Sequence, residues 1–274
     1  MHFDGVVFAG GGCRCFWQAG FYAEAAPRLG LAPQYAAAAS AGAALGVVSL
    51  LGLGERAVHV FKQHAARNTR NIYPERVLSK APVFPHEGLF RAAILETLDN
   101  NSLQLLAQGP SLRVALSRAP TSRLPMAPWL VAALFAYRLE GLTTRRVHKQ
   151  WPGRLGFAVE WAHANDCADV NELADLLLQT SCTPPFTSAL CRDGRPVLDG
   201  GLTDNVPVAA LPEAKRLLVL LTKRYSTLPS TQRVTYTQPS EPIPIGAWDY
   251  SDAAAIQKSY DLGRRDGEYF ESQV

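Results

Sequence analysis

The first 54 residues contain two short apolar runs, each stopped by a turn of very small residues and followed by a helical pattern. Gly5-Val6-Val7-Phe8-Ala9 runs into Gly10-Gly11-Gly12. Residues 14–29 then place Phe16, Ala19, Gly20, Ala23 and Ala26 near one helical face. Residues 34–39 run into Ser40, and residues 41–52 are small and apolar up to the glycines at 52 and 54. A short apolar run closed by glycine reads as a buried strand entering a tight turn. Strand, turn and helix, twice over, argue for parallel strands joined by helical crossovers. The expected fold class is therefore α/β with a mostly parallel central sheet.

The rest of the chain fits that frame. Helical patterns are expected at residues 55–69, 87–99, 171–180 and 252–270, and strands at 111–118, 155–161 and 216–222. The proline-bearing stretch 73–86 and the Pro-, Ser- and Thr-rich stretch 226–247 read as loops. No repeat or linker divides the sequence, so residues 1–274 are expected to form a single catalytic domain.

Composition narrows the function classes. Apolar residues are 47% of the chain and charged residues 19%, enough for a large core and too few charges for a disordered chain. A formal net charge of +3 is too weak to imply nucleic-acid binding. Five cysteines (Cys13, Cys15, Cys167, Cys182 and Cys191) are an odd number in a large chain and form no C-x-x-C pair. Neither a disulfide framework nor a zinc site is expected. The N-terminal residues lack a basic start and a long apolar core, and no continuous apolar stretch reaches about 18 residues. A cytoplasmic protein without a spanning helix is expected.

Three constellations carry chemistry. Ala38-Ala39-Ser40-Ala41-Gly42 lies between a strand and a helix, where a sharp turn can hold a serine Oγ clear of its neighbours above a helix N-terminus. The alternative for Ser40 is a simple helix N-cap. Gly10-Gly11-Gly12-Cys13-Arg14 follows the first strand, where exposed backbone N–H groups at a helix start can stabilise an oxyanion. A dinucleotide loop would want a small Gly or Ala at position 15, which is cysteine, and no Walker lysine follows. Asp199 ends a third apolar run and precedes Gly200 and Gly201, as expected of reactive groups at strand carboxyl ends. An Asx turn would look the same, and Asp204 competes for the role. Of the six histidines (His2, His59, His64, His86, His148 and His163) none follows Asp199. A Ser-Asp-His order is thereby excluded, and the economical reading is that Asp199 itself accepts the Ser40 proton.

Taken together, these motifs resemble those of the patatin-like phospholipases: a G-G-G-x-R/K-G loop, a G-x-S-x-G elbow and a D-G-G/A aspartate, in that order. Thr180-Ser181-Cys182-Thr183-Pro184-Pro185-Phe186 is similar to the segment that precedes the aspartate in that family. The resemblance spans roughly residues 3–210. It implies a three-layer α/β/α sandwich, a Ser40–Asp199 dyad, an oxyanion hole from residues 10–14, support from Ala38, Gly42, Gly200 and Gly201, and hydrolysis of lipid acyl esters without metal or cofactor. Two positions depart from the pattern: Cys15 replaces the loop's final glycine and Ala38 the elbow's first.

The expected partner is a lipid substrate. The most apolar segment, residues 126–137, has Arg118 and Arg123 before it and Arg138, Arg145, Arg146 and Lys149 after it. A lid or membrane-facing segment near 124–149, making peripheral membrane contact, would look like this, as would a buried core helix. An acyltransferase using the same acyl-enzyme and a non-catalytic lipid-binding protein are the alternatives to a hydrolase.

Overall fold

A computed structural model describes residues 2–120, 147–148 and 156–270. The expected lid segment near 124–149 therefore lies outside the described residues, apart from Val147 and His148.

The two opening units fold as their sequence dictates. Strand β1 (Gly5–Phe8) leads through a 3-10 turn (Gly12–Cys15) into helix α1 (Phe16–Leu29), and β2 (Tyr35–Ala39) leads at Ser40 into α2 (Ala41–Leu50). Helices α3 (Gly54–Arg67), α4 (His86–Thr97) and α5 (Asn100–Gln108) follow, then β3 (Ser111–Arg118). Next come β4 (Ala158–His163), α6 (Val170–Gln179), the short strands β5 (Cys191–Arg192), β6 (Arg195–Pro196) and β7 (Leu198–Asp199), and α7 (Gly201–Asp204). Strands β8 (Leu217–Leu220) and β9 (Val234–Thr237) precede the long helix α8 (Ala253–Glu268).

The central sheet runs β4-β3-β2-β1-β8-β9. The β3-β2-β1-β8-β9 part is parallel, and β4 and β7 pair with β3 antiparallel. Alternation along each strand sends side chains to two cores. Val6, Phe8, Ala36, Ala38, Val114 and Leu116 join one with helices α1–α4 and α6. Val7, Ala9, Ala37, Val219 and Leu221 join the other with Val206, Ala210 and Leu211. Strands covered on both sides read as unbroken apolar runs, as β1 and β8 do. The architecture is a three-layer α/β/α sandwich with a mostly parallel sheet.

The sequence reading lacks the β5–β6 hairpin, β9 and α5, and the strand expected at 155–161 forms at Ala158–His163. Residues 234–237, inside the stretch read as a loop, form β9, held among the described residues by β8 alone. Residues 100–108 form α5, whose start is fixed by a capping box: the Asp99 carboxylate accepts the Ser102 N–H at 2.8 Å, and Ser102 Oγ accepts the Asp99 N–H. Arg118, read as a basic flank of the lid, is instead buried at the end of β3. Its guanidinium donates to both carboxylate oxygens of Glu160 on β4 (2.7 and 2.8 Å) and to the Arg195 carbonyl (2.9 Å). A bidentate pair of this kind pins β4 and the β5–β6 hairpin to β3.

Candidate active site

Strand register brings the serine and the aspartate together. On one side of β3, β2 pairs up to Ala39 opposite Ala115. On the same side β7 takes over, with Asp199 opposite Leu116. The two strands thus meet end to end along β3, and the residue that follows Ala39 faces Asp199. Ser40 Oγ donates to Asp199 Oδ2 at 2.6 Å. The other carboxylate oxygen, Oδ1, accepts the Gly201 N–H at 2.7 Å, so the group is oriented from the start of α7.

Ser40 sits at φ 54°, ψ −143°, a conformation rarely adopted by a residue with a side chain. Such a backbone costs about 1–3 kcal/mol and persists only where its surroundings enforce it. Two contacts do so. The Ser40 N–H donates to Thr180 Oγ1 at 3.0 Å, and the fully buried Thr180 hydroxyl donates in turn to the Ala115 carbonyl at 2.6 Å. Behind the turn, α2 lies so close to β1 that a Cβ on Gly42 would stand 2.5 Å from the Ala9 oxygen and 2.7 Å from the Phe8 oxygen. Glycine at 42 is a steric requirement of the elbow.

The glycine loop passes beside the serine. Gly12 has φ +59°, and a Cβ there would collide with the Ala247 carbonyl. The Gly10 carbonyl is held by two donors, Thr222 Oγ1 at 2.7 Å and Asn205 Nδ2 at 3.1 Å. The Cys13 N–H is committed to the Ala247 oxygen and the Arg14 N–H to the Gly11 oxygen. Among the described residues the Gly11 and Gly12 N–H groups have no hydrogen-bond acceptor. Arg14 Nε donates to the Gly11 oxygen at 3.2 Å, placing its charge at the pocket wall.

Gly11, Gly12, Arg14, Ser40, Asp199 and Asn205 line one cleft, together with an apolar side that includes Phe90, Leu178, Leu202 and Trp248. Of the other residues singled out in the sequence, Ala38 and Cys15 lie in the larger core. Cys15 Sγ points to the Ala9 oxygen, and burial pushes its thiol well above the usual range. Both departures from the family pattern thus face the core. Gly200 binds the Thr180 oxygen through its N–H and closes the turn after Asp199. Asp204 is outside the cleft. It accepts the Val206 N–H, and burial raises its carboxyl to about 6.

Asn205 and Thr222 are site residues that the sequence does not single out; Thr180 stands there only as part of the segment before the aspartate, and His86 only as one of the histidines that precede it. His86 lines the cleft, but its Nε2 pairs with the Trp248 carbonyl at 2.9 Å, and burial lowers its pKa, which favours the neutral ring. Among the described residues no cluster of His, Cys, Asp or Glu is arranged to hold a metal ion, and no helix is long and apolar enough to cross a membrane.

A serine hydrogen-bonded to a carboxylate, beside a glycine loop, is an arrangement that acyl transfer can use. No curated protein matches the chain in sequence. Among solved structures, the chain is similar to VipD from Legionella pneumophila, with a TM-score of 0.50 at 10% identity, over 97% of this chain and 66% of that one. The chain thus spans slightly less than two thirds of that protein's length, and the likeness concerns the fold. The model of the patatin-like phospholipases matches residues 6–212, from the first strand of the sheet to just past the Asp199 turn. With that match covering most of its length, the chain belongs to the patatin-like phospholipase family.

Proposed function

We propose that the chain is a lipid acyl hydrolase of phospholipase A type, with Ser40 as nucleophile and Asp199 as general base. The observation that carries this reading is the 2.6 Å hydrogen bond from Ser40 Oγ to Asp199 Oδ2, on a strained elbow at the wall of a largely apolar cleft. Family membership supports lipid ester as the substrate class.

In this mechanism Ser40 Oγ attacks the ester carbonyl carbon as its proton passes to Asp199. The carbonyl oxygen becomes an oxyanion, for which the Gly11 and Gly12 N–H groups are the donors the loop offers. As the C–O bond breaks, Asp199 returns the proton to the leaving alcohol and an acyl-serine remains. Water then attacks the acyl carbon, giving its proton to Asp199 and releasing the fatty acid. Finally Ser40 recovers its proton from Asp199. The Gly201 N–H on Oδ1 leaves Oδ2 as the oxygen that exchanges the proton. Arg14 places a positive charge on the glycine-loop side of the cleft. Contact with the lipid surface is peripheral in this account.

The test is release of free fatty acid from mixed phospholipid micelles by purified wild type, Ser40→Ala and Asp199→Asn. The proposal expects release by wild type and a loss of at least 1,000-fold in each variant, consistent with removal of catalytic groups that act as a unit. Full activity in either variant overturns the dyad. Transfer of the acyl group to an added alcohol in excess of hydrolysis would make the enzyme an acyltransferase instead.

A further inference from the structure

Behind the cleft lies a second cavity that shares Gly12, Ala41, Phe90 and Tyr250 with it. Helix α2 begins at Ser40 and presents Ala41, Ala44, Leu45 and Val48 to this cavity. Helix α4 begins at His86, also at the cleft, and presents Phe90, Ala93, Ile94 and Thr97. Both sets follow the same spacing of i, i+3, i+4 and i+7, which is one continuous stripe along a helix. The T-shaped pair Phe16–Phe61, with centroids 5.0 Å apart, forms a side wall. Leu98, just past the C-terminal end of α4, lines the part farthest along that helix from His86.

No charged side chain lines the space. Its threonine is turned to its own helix, since Thr97 Oγ1 donates to the Ala93 carbonyl at 2.7 Å. The room comes from sequence: alanines at 41, 44 and 93 stand where larger side chains would fill the gap between the stripes. The space adjoins the Ser40 elbow, since Gly12 and Ala41 line both it and the cleft.

We infer that this cavity is the sleeve for the acyl chain of the substrate, and that Ala93 and Leu98 set the chain length it accepts. This rests on the hydrolase reading above and adds the depth limit. Each stripe spans about 10.5 Å at about 1.5 Å per helical residue. A saturated chain with C–C bonds of about 1.5 Å advances about 1.25 Å per carbon, so the sleeve takes a chain of about eight carbons. Medium-chain acyl esters are the preferred substrates.

The experiment compares kcat/KM for p-nitrophenyl esters from C4 to C16 in the wild type, Ala93→Phe and Leu98→Ala, and reads the ratios within each protein. The expected wild-type profile peaks near C8. Ala93→Phe lowers the C8-to-C4 ratio at least tenfold, and Leu98→Ala moves the peak at least two carbons longer. A wild-type profile that stays flat through C16, or unchanged ratios in the folded variants, overturns the sleeve. If Ala93→Phe does not fold, the direction of the Leu98→Ala shift decides. Calorimetric titration of octanoate into Ser40→Ala protein separates the two ideas. Octanoate binding that Ala93→Phe removes, in a protein whose wild type hydrolyses no ester, upholds the sleeve while the hydrolase reading fails. Hydrolysis with an unaltered length profile does the reverse.

Discussion

Thr180→Val removes one hydroxyl and almost no volume, from a side chain with no exposed surface. In the wild type that oxygen accepts the Ser40 N–H at 3.0 Å and donates to the Ala115 carbonyl at 2.6 Å. A buried N–H left without an acceptor costs about 1–3 kcal/mol, and a carbonyl that loses one of its donors adds roughly 1 kcal/mol. The expected destabilisation is about 2–4 kcal/mol. In a chain of this size each kcal/mol lowers Tm by about 2–4 °C, so the melting point should fall by roughly 5–15 °C. The elbow should also relax. Its φ of 54° is held partly by that hydrogen bond, and a displacement near 1 Å at a reacting atom costs about 100-fold in rate. Thr180→Ser keeps the hydroxyl and should recover most of both losses. The assays are calorimetric melting and kcat on a soluble ester. A Thr180→Val protein with wild-type melting and wild-type kcat would refute the claim that this hydroxyl holds the elbow.

Two further perturbations probe the scaffold. Gly42→Ala should destabilise the protein by at least 1–3 kcal/mol, an overpacking effect, because the added Cβ meets two backbone oxygens within 2.7 Å; urea unfolding measures it, and a neutral result would contradict the described α2–β1 approach. Asp204 carries a carboxyl raised from 3.8 to about 6 by burial. The folded state therefore binds this proton more tightly than the unfolded state, so its stability is fully present below pH 3.8 and declines as pH rises to about 6. The decline amounts to roughly 3 kcal/mol by linkage. Asp204→Asn, which never ionises, should gain stability relative to wild type across that window, read from urea midpoints at pH 4, 5, 6 and 7, and a constant difference between the two proteins would contradict the burial of this group.

Much of the fold was legible because glycine marks its boundaries. Gly10-Gly11-Gly12 and Ser40-Ala41-Gly42 fixed the ends of β1 and β2, and the unbroken run Leu217–Leu220 signalled a strand covered on both faces. Strand β9 was not legible, since Val234-Thr235-Tyr236-Thr237 sits within loop-like composition and gains its order from one neighbour, β8. Helix α5 is only nine residues long, yet its Asp99-x-x-Ser102 start is a readable signal. The site divides in the same way. The pairing of Ser40 with Asp199 could be anticipated because small residues crowd the turns that carry both. The roles of Thr180, Asn205 and Thr222 could not, because each residue acts on a backbone group far away in sequence: Thr180 on Ser40 and Ala115, Asn205 and Thr222 on Gly10. Arg118 was misread for a related reason. Its partner Glu160 lies on a strand 42 residues away that pairs with its own, so a cation that looked like a lid flank is an internal tie.

The central claim is that Asp199 activates Ser40. Its most direct test is the rate of covalent labelling by a fluorophosphonate, followed by intact mass and peptide mapping, in wild type, Ser40→Ala and Asp199→Asn. The account predicts a single adduct on the peptide containing Ser40, none in Ser40→Ala, and labelling at least 100-fold slower in Asp199→Asn, in line with the contribution of a positioned base. An adduct on another residue, or wild-type labelling of Ser40 in the Asp199→Asn protein, would contradict it.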